Sequence, residues 1–226
     1  MRHEGSIRGL IFDFDGLILD TEQPDHQAWD ELFARFACRL PMDRWLTQIG
    51  TFEAVFDPWA ELEAQRGAAV DREALARWRR ARCDELIAAK PVQPGVADLI
   101  AAARARRLRL GVASSSPRDW VAGHLQRLGL RDVFETIACG DEVPRTKPDP
   151  AVYQAALRRL GLAPRQAIAL EDSPNGALAA RRAGLYCVVI PHPLLQRQDF
   201  AADLRLQSLA DFDLDTLLVA AGERAG

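Results

Sequence analysis

The stretch "LIFDFDGLILDTE", Leu10–Glu22, decides the fold. Leu10, Ile11 and Phe12 read as a strand buried on both faces. Two carboxylates, Asp13 and Asp15, follow at its end, one residue apart, and Gly16 comes next. Side chains alternate along a strand, so the two acids face the same way. Two ionised carboxylates so close repel one another and lose hydration. A divalent cation between them offsets that cost, because hard cations take carboxylate and carbonyl oxygens. A pair of solvated acids in a glycine turn is the other reading of these four residues alone.

Apolar runs of strand character recur at Gly9–Phe14, Leu108–Ala113, Val133–Cys139, Ala167–Leu170 and Tyr186–Ile190. Helical patterns separate most of them, near Gly95–Arg107, Pro117–Leu128, Pro150–Leu160 and Pro174–Ala183. This alternation predicts an α/β chain with a parallel sheet covered by helices on both sides. Ser116-Pro117, Asp149-Pro150 and Ser173-Pro174 each place a capping residue before a proline suited to the first helical position. Between Asp20 and Lys90 the alternation stops. Trp29, Leu32, Phe33 and Phe36 recur at helical spacing, as do Leu75, Trp78, Leu86 and Ile87, and more loosely Phe52, Val55, Phe56, Trp59 and Leu62. Four of the five tryptophans lie in this region, which reads as an all-helical insert with its own packing stripes. "KPVQPGV", Lys90–Val96, reads as the return connection.

The composition narrows the function. The 226 residues carry a net charge of −3, which gives no footprint for nucleic acid. The cysteines, Cys38, Cys83, Cys139 and Cys187, are scattered without a C-x-x-C pair. Free thiols in a reducing cytoplasm are expected, rather than a zinc site or a disulfide framework. The apolar run near the start is shorter than a signal peptide is expected to need, and no stretch approaches the length of a membrane span. Lysine is rare beside arginine: only Lys90 and Lys147 occur.

Acids and hydroxyls gather where strands should end. "GVASSS" brings Ser114, Ser115 and Ser116, and "ALEDSPNG" brings Glu171 and Asp172. Ligands of open α/β sheets bind outside the carboxyl ends of the strands. Hydroxyls and helix N-termini suit a phosphate, and acids with a metal suit its charge. Lys147 precedes another helix start and could reach the same anion, or be a loop lysine on the surface.

In order, "DFDGLILDTE", "VASSS", "KPDPAVY" and "LEDSPNGALAARRAG" resemble the motifs of the haloacid dehalogenase superfamily. The likeness is to the subfamily IA phosphatases and β-phosphoglucomutase-like enzymes with a helical cap. The resemblance implies a Rossmann-like core at 1–19 and 93–226 and an all-α cap at 20–92. It implies Asp13 as the nucleophile that becomes an aspartyl phosphate, and Asp15 as general acid and base. Ser114 and Ser115 then bind phosphate, and Lys147 both binds it and offsets developing charge. Mg2+ is the implied cofactor, held by Asp13, Asp15 through its backbone carbonyl, Asp172 and Glu171.

The expected substrate is a small phosphorylated metabolite, with no nucleic-acid or membrane partner. A monomer suffices for this chemistry, and the sequence does not fix the oligomeric state. A β-phosphoglucomutase-like mutase is the alternative. In such mutases a cap histidine couples closure to the correct substrate and a cap arginine grips the distal phosphate. Here the aligned positions are Asp25, with His26 one residue late, and "IGTFEAVF", Ile49–Phe56, with Glu53 and no arginine. Gln48 and Thr51 are further candidates for the cleft. A phosphonate hydrolase needs a cap lysine, and Lys90 stands only at the return connection. A phosphate binder without turnover has no need of both Asp13 and Asp15.

Overall fold

Leu10 to Phe12 sit at the centre of a six-stranded sheet. The computed structural model describes residues 6–48 and 56–225. The strands are β1 (Gly9–Phe12), β2 (Arg109–Ala113), β3 (Thr136–Ala138), β4 (Ala167–Glu171), β5 (Tyr186–Val189) and β6 (Leu204–Arg205). They run in the order β3-β2-β1-β4-β5-β6, and every pairing is parallel. The chain order reverses between β1 and β4, where such sheets open a crevice at their carboxyl edge. Phe12 pairs with Val112 on one side and Leu170 on the other, so β1, β2 and β4 end nearly level.

Alternate residues of each strand feed opposite faces. Leu10, Phe12, Leu110, Val112, Ile168 and Leu170 pack on one side. Their cover is α5 (Val96–Ala105), α6 (Arg118–Arg127) and α9 (Leu214–Ala225). Ile11, Ala113, Ala167, Ala169, Cys187 and Val189 pack on the other, against α7 (Ala151–Leu160) and α8 (Pro174–Arg182). The alanines of α8, Ala177, Ala179 and Ala180, are fully buried, so this helix lies close on the sheet.

Residues between β1 and α5 form α1 (Glu22–Ala34), α2 (Met42–Trp45), α3 (Pro58–Arg66) and α4 (Arg72–Ala88). Trp29, Leu32, Phe33, Trp45, Phe56 and Leu62 make a core of their own, with Leu195 from beyond β5 joining it. Phe52 and Val55 lie outside the described residues. The two connections to this helical layer are joined. Leu19 and Val92 form an antiparallel bridge, and Lys90 Nζ lies 2.7 Å from Asp20 Oδ2.

Several details depart from the sequence reading. Strand β1 stops at Phe12, so Asp13 and Asp15 lie in the turn beyond it. Val133 belongs to a 3-10 turn, and β3 starts only at Thr136, because Phe134 leaves the ladder to pack edge-on against Phe12. Helix α6 starts at Arg118, without a cap from Ser116. The Ser116 hydroxyl is committed to Asp15, and the Arg118 N–H finds the Asp141 carboxylate instead. The Ser173 cap holds, accepting from Gly176 N at 3.2 Å; Asp149 accepts from Ala151 N at 3.0 Å, but Pro150 rather than Asp149 stands at the N-cap of α7.

Ser173 thus satisfies one of the unpaired N–H groups at the start of α8. Ser173→Ala is expected to cost about 1 kcal/mol, the usual worth of such a cap. Urea denaturation checks this as a lower midpoint at unchanged slope.

Candidate active site

The carboxyl ends of β1, β2 and β4 converge on one polar cluster. Asp13 follows β1, its N–H bonded to Leu170 O at 2.9 Å, which fixes it beside the end of β4. Glu171 closes β4 and Asp172 follows it. Lys147 arrives from the loop before α7, and its Nζ lies 2.7 Å from both Asp13 Oδ1 and Glu171 Oε1. Tyr153, on the first turns of α7, donates its hydroxyl to Glu171 Oε1. All five of these residues are buried.

Three carboxylates meet here with one ammonium. Oxygens of Asp13, Glu171 and Asp172 lie within 4.8 Å of one another. Burial pushes the Asp13 carboxyl well above its ordinary range, and Glu171 adds to this while Lys147 opposes it. Burial likewise raises Asp172, with Asp13 and Glu171 adding repulsion. Burial alone would lower the Lys147 ammonium, but the charges of Asp13 and Glu171 outweigh it and the net shift is upward.

The donor set fits a hard divalent cation. Glu171 Oε2 and Asp172 Oδ2 are buried oxygens without a hydrogen-bond donor. A buried acceptor left so is costly unless something else meets it. Two glycines keep the space around these oxygens open. A Cβ on Gly16, where φ is +78°, would stand 1.9 Å from Asp172 Oδ2, and one on Gly176 would stand 1.9 Å from Glu171 Oε2. Among the described residues a second group, Cys139, Asp141 and Glu142, has similar spacing. Its Glu142 is already taken by Arg118 and Arg159.

Asp15 turns away from this trio. Its Oδ1 accepts from Thr21 Oγ1 at 2.9 Å and from Trp120 Nε1 at 3.0 Å. Its Oδ2 accepts from Ser116 Oγ at 2.6 Å and from Ser114 Oγ at 3.2 Å. Ser114 is fully buried and holds Asp15, while Ser115 and Ser116 line the cavity. Thr21 and Trp120 were not singled out by the sequence, which carries no spacing signal for either.

A cavity of about 510 Å³ opens over these groups, between the sheet edge and the helical layer. Asp13, Asp15 and Lys147 form its floor, and Glu22, Asp25, Trp29, Trp45, Arg79 and Arg80 are among the residues of its walls. Asp25 pairs with Arg79. His26 instead packs edge-on against Trp45, at 5.0 Å between centroids. Lys90 pairs with Asp20 and Gln23 and does not line the cavity. Gln48 ends a 3-10 turn, and Thr51 and Glu53 lie outside the described residues.

Raised carboxyls hold protons that a cation must displace. In the native metal-free protein, Asp13 and Asp172 bind protons more tightly than in the unfolded chain. The stability they contribute is present below the ordinary carboxylate range and lost as pH rises through the raised values. Magnesium is therefore expected to raise the melting temperature more at pH 8 than at pH 5, with proton release on binding. Calorimetry in buffers of different ionisation enthalpy measures that release; binding without it contradicts the site.

A family model described as "haloacid dehalogenase-like hydrolase" matches residues 7–184. YhcW of Bacillus subtilis (strain 168) is 42% identical over 94% of this chain and 96% of its own. Hexitol phosphatase B of Escherichia coli (strain K12) is 31% identical, over 94% of this chain and 97% of its own. The crystal structure of CbbY from Rhodobacter sphaeroides in complex with phosphate superposes with a TM-score of 0.70 at 33% identity, covering 91% of this chain and 96% of the other. Among the described residues, no helix is long and apolar enough to cross a membrane.

Proposed function

The chain belongs to the haloacid dehalogenase-like hydrolases, and from that premise we propose that it is a magnesium-dependent phosphatase. Its substrates are small organic phosphomonoesters, sugar phosphates or similar metabolites. The reaction runs through an aspartyl phosphate on Asp13. The observation that carries this reading is the placement of Lys147. Its ammonium, buried within 2.7 Å of Asp13, marks the point where an attacking carboxylate and a transferring phosphoryl group need a fixed positive charge. The Hexitol phosphatase B name supports a polyol or sugar phosphate as the substrate class.

Asp13 attacks phosphorus as a carboxylate, and Lys147 opposes the upward push that burial and Glu171 exert on it. Asp15 gives a proton to the leaving oxygen, then takes one from the water that cleaves the acyl phosphate. The Ser115 side, at the end of β2, receives the phosphoryl oxygens, and Ser114 steadies Asp15. Asp13, Glu171, Asp172 and the backbone carbonyl of Asp15 would hold the ion. When bound, Mg2+ supplies neutralisation of the phosphoryl oxygens.

The same reading divides the chain into a core, 1–19 and 93–226, and a cap, 20–92. The cap places Glu22, Asp25 and Arg79 over the floor, where they meet the leaving group. The Arg79 charge is already paired with Asp25, which favours a neutral leaving group over a second phosphate.

Turnover of p-nitrophenyl phosphate with and without magnesium tests the reading. Asp13→Asn is expected to abolish turnover with the fold intact, because an amide of nearly the same size cannot attack phosphorus. Lys147→Ala is expected to lose about 10²–10³-fold in kcat, on the scale of removing one preorganised charge-stabilising donor. Lys147→Arg restores little, since a planar guanidinium does not fit the two contacts of a compact ammonium. Near-normal activity in Asp13→Asn refutes the assignment.

A further inference from the structure

The hydrogen bonds around Asp15 differ in kind between its two oxygens. At Oδ2 both partners, Ser114 and Ser116, are hydroxyls. A hydroxyl can donate or accept, and it turns to suit. At Oδ1 one partner is the Thr21 hydroxyl and the other is the Trp120 indole. An indole N–H only donates. A proton on Oδ1 has only the Thr21 hydroxyl to receive it and weakens that oxygen as the acceptor of the indole N–H, whereas at Oδ2 either partner can reverse.

The indole is itself held in place. Trp120 packs edge-on against His124 at 4.3 Å, and His124 stacks on Phe14, the residue between the two aspartates. Trp120 also lines the cavity, and its N–H is bonded to Asp15 on the floor.

We propose that Trp120 is a positioning residue for acid–base chemistry: its indole N–H pins Oδ1 of Asp15 and so assigns the moving proton to Oδ2. This rests on Asp15 acting as the acid and base of the phosphatase proposed above. In the first step a carboxylate oxygen of Asp13 forms a bond to phosphorus and the ester P–O bond breaks. The bonding pair stays with the ester oxygen, which takes the proton from Oδ2 of Asp15. In the second step water attacks the acyl phosphate and gives its proton back to Oδ2. Asp13 leaves as a carboxylate with inorganic phosphate, and the cycle closes. Trp120 exchanges no proton at any point.

The test uses substituted phenyl phosphates, which share one shape but differ in the basicity of the leaving phenolate. An acidic phenol such as p-nitrophenol leaves without help, whereas phenol itself needs the proton. Trp120→Phe keeps an aromatic ring and deletes the N–H. The expected result is a loss of about 10-fold in kcat/KM for phenyl phosphate and under about 2-fold for p-nitrophenyl phosphate. The plot of log kcat/KM against leaving-group pKa becomes steeper. A purely structural role for Trp120 would lower both substrates alike and leave the slope unchanged. That result, no effect on either substrate, or faster turnover of phenyl phosphate overturns the proposal. Benzothienylalanine at position 120, which replaces the N–H with sulfur at nearly constant shape, repeats the test should the phenylalanine variant misfold. If the wild-type protein hydrolyses no aryl phosphate with magnesium, the phosphatase reading has failed instead.

Discussion

A single buried ammonium makes this site possible. Lys147 is 1% exposed and sits between Asp13 and Glu171. Without it three carboxylates would share a dry pocket with no counter-charge, and protonation would be their way out. Lys147 opposes that pressure at Asp13, one of the two acids it touches. Arginine supplies nearly all the positive charge of this chain, yet its fork would need more donors met than two carboxylate oxygens at 2.7 Å provide.

That ammonium is placed by the sheet. Asp13 and Glu171 come together because β1 and β4 are neighbours with level ends. The switch point of the strand order therefore coincides with the crowding of charge. The apolar runs that predicted a buried parallel sheet also fix how tightly these acids are packed. A sheet with one wet face would have let water screen them.

Much of this was legible locally. The strand cores, the helices α5 to α8, the helical layer and the acids at strand ends follow from periodicity, proline placement and motif order. What escaped depends on contacts between distant parts of the chain. Strand β6 has two residues and no pattern of its own, and it exists only through β5. The Ser116 cap failed because a carboxylate 101 residues away in sequence claimed the hydroxyl. The Trp120 bond to Asp15 spans 105 residues, and nothing in either neighbourhood announces it.

The connections to the helical layer show the same limit most fully. Asp20 lies just before α1, Lys90 just after α4, and His192 beyond β5. His192 Nδ1 accepts from Leu194 N, leaving Nε2 to donate to Asp20 Oδ1 at 3.1 Å. Burial alone would raise the Asp20 carboxyl, but His192 and Lys90 outweigh it and bring it to about 2. The His192 backbone N–H in turn bonds Asp172 O at 3.2 Å. Both strands of the connection are thus tied through one aspartate to the loop that carries a carboxylate of the cation cluster. That link is assembled from Asp20, Lys90 and His192, three residues that no local pattern relates.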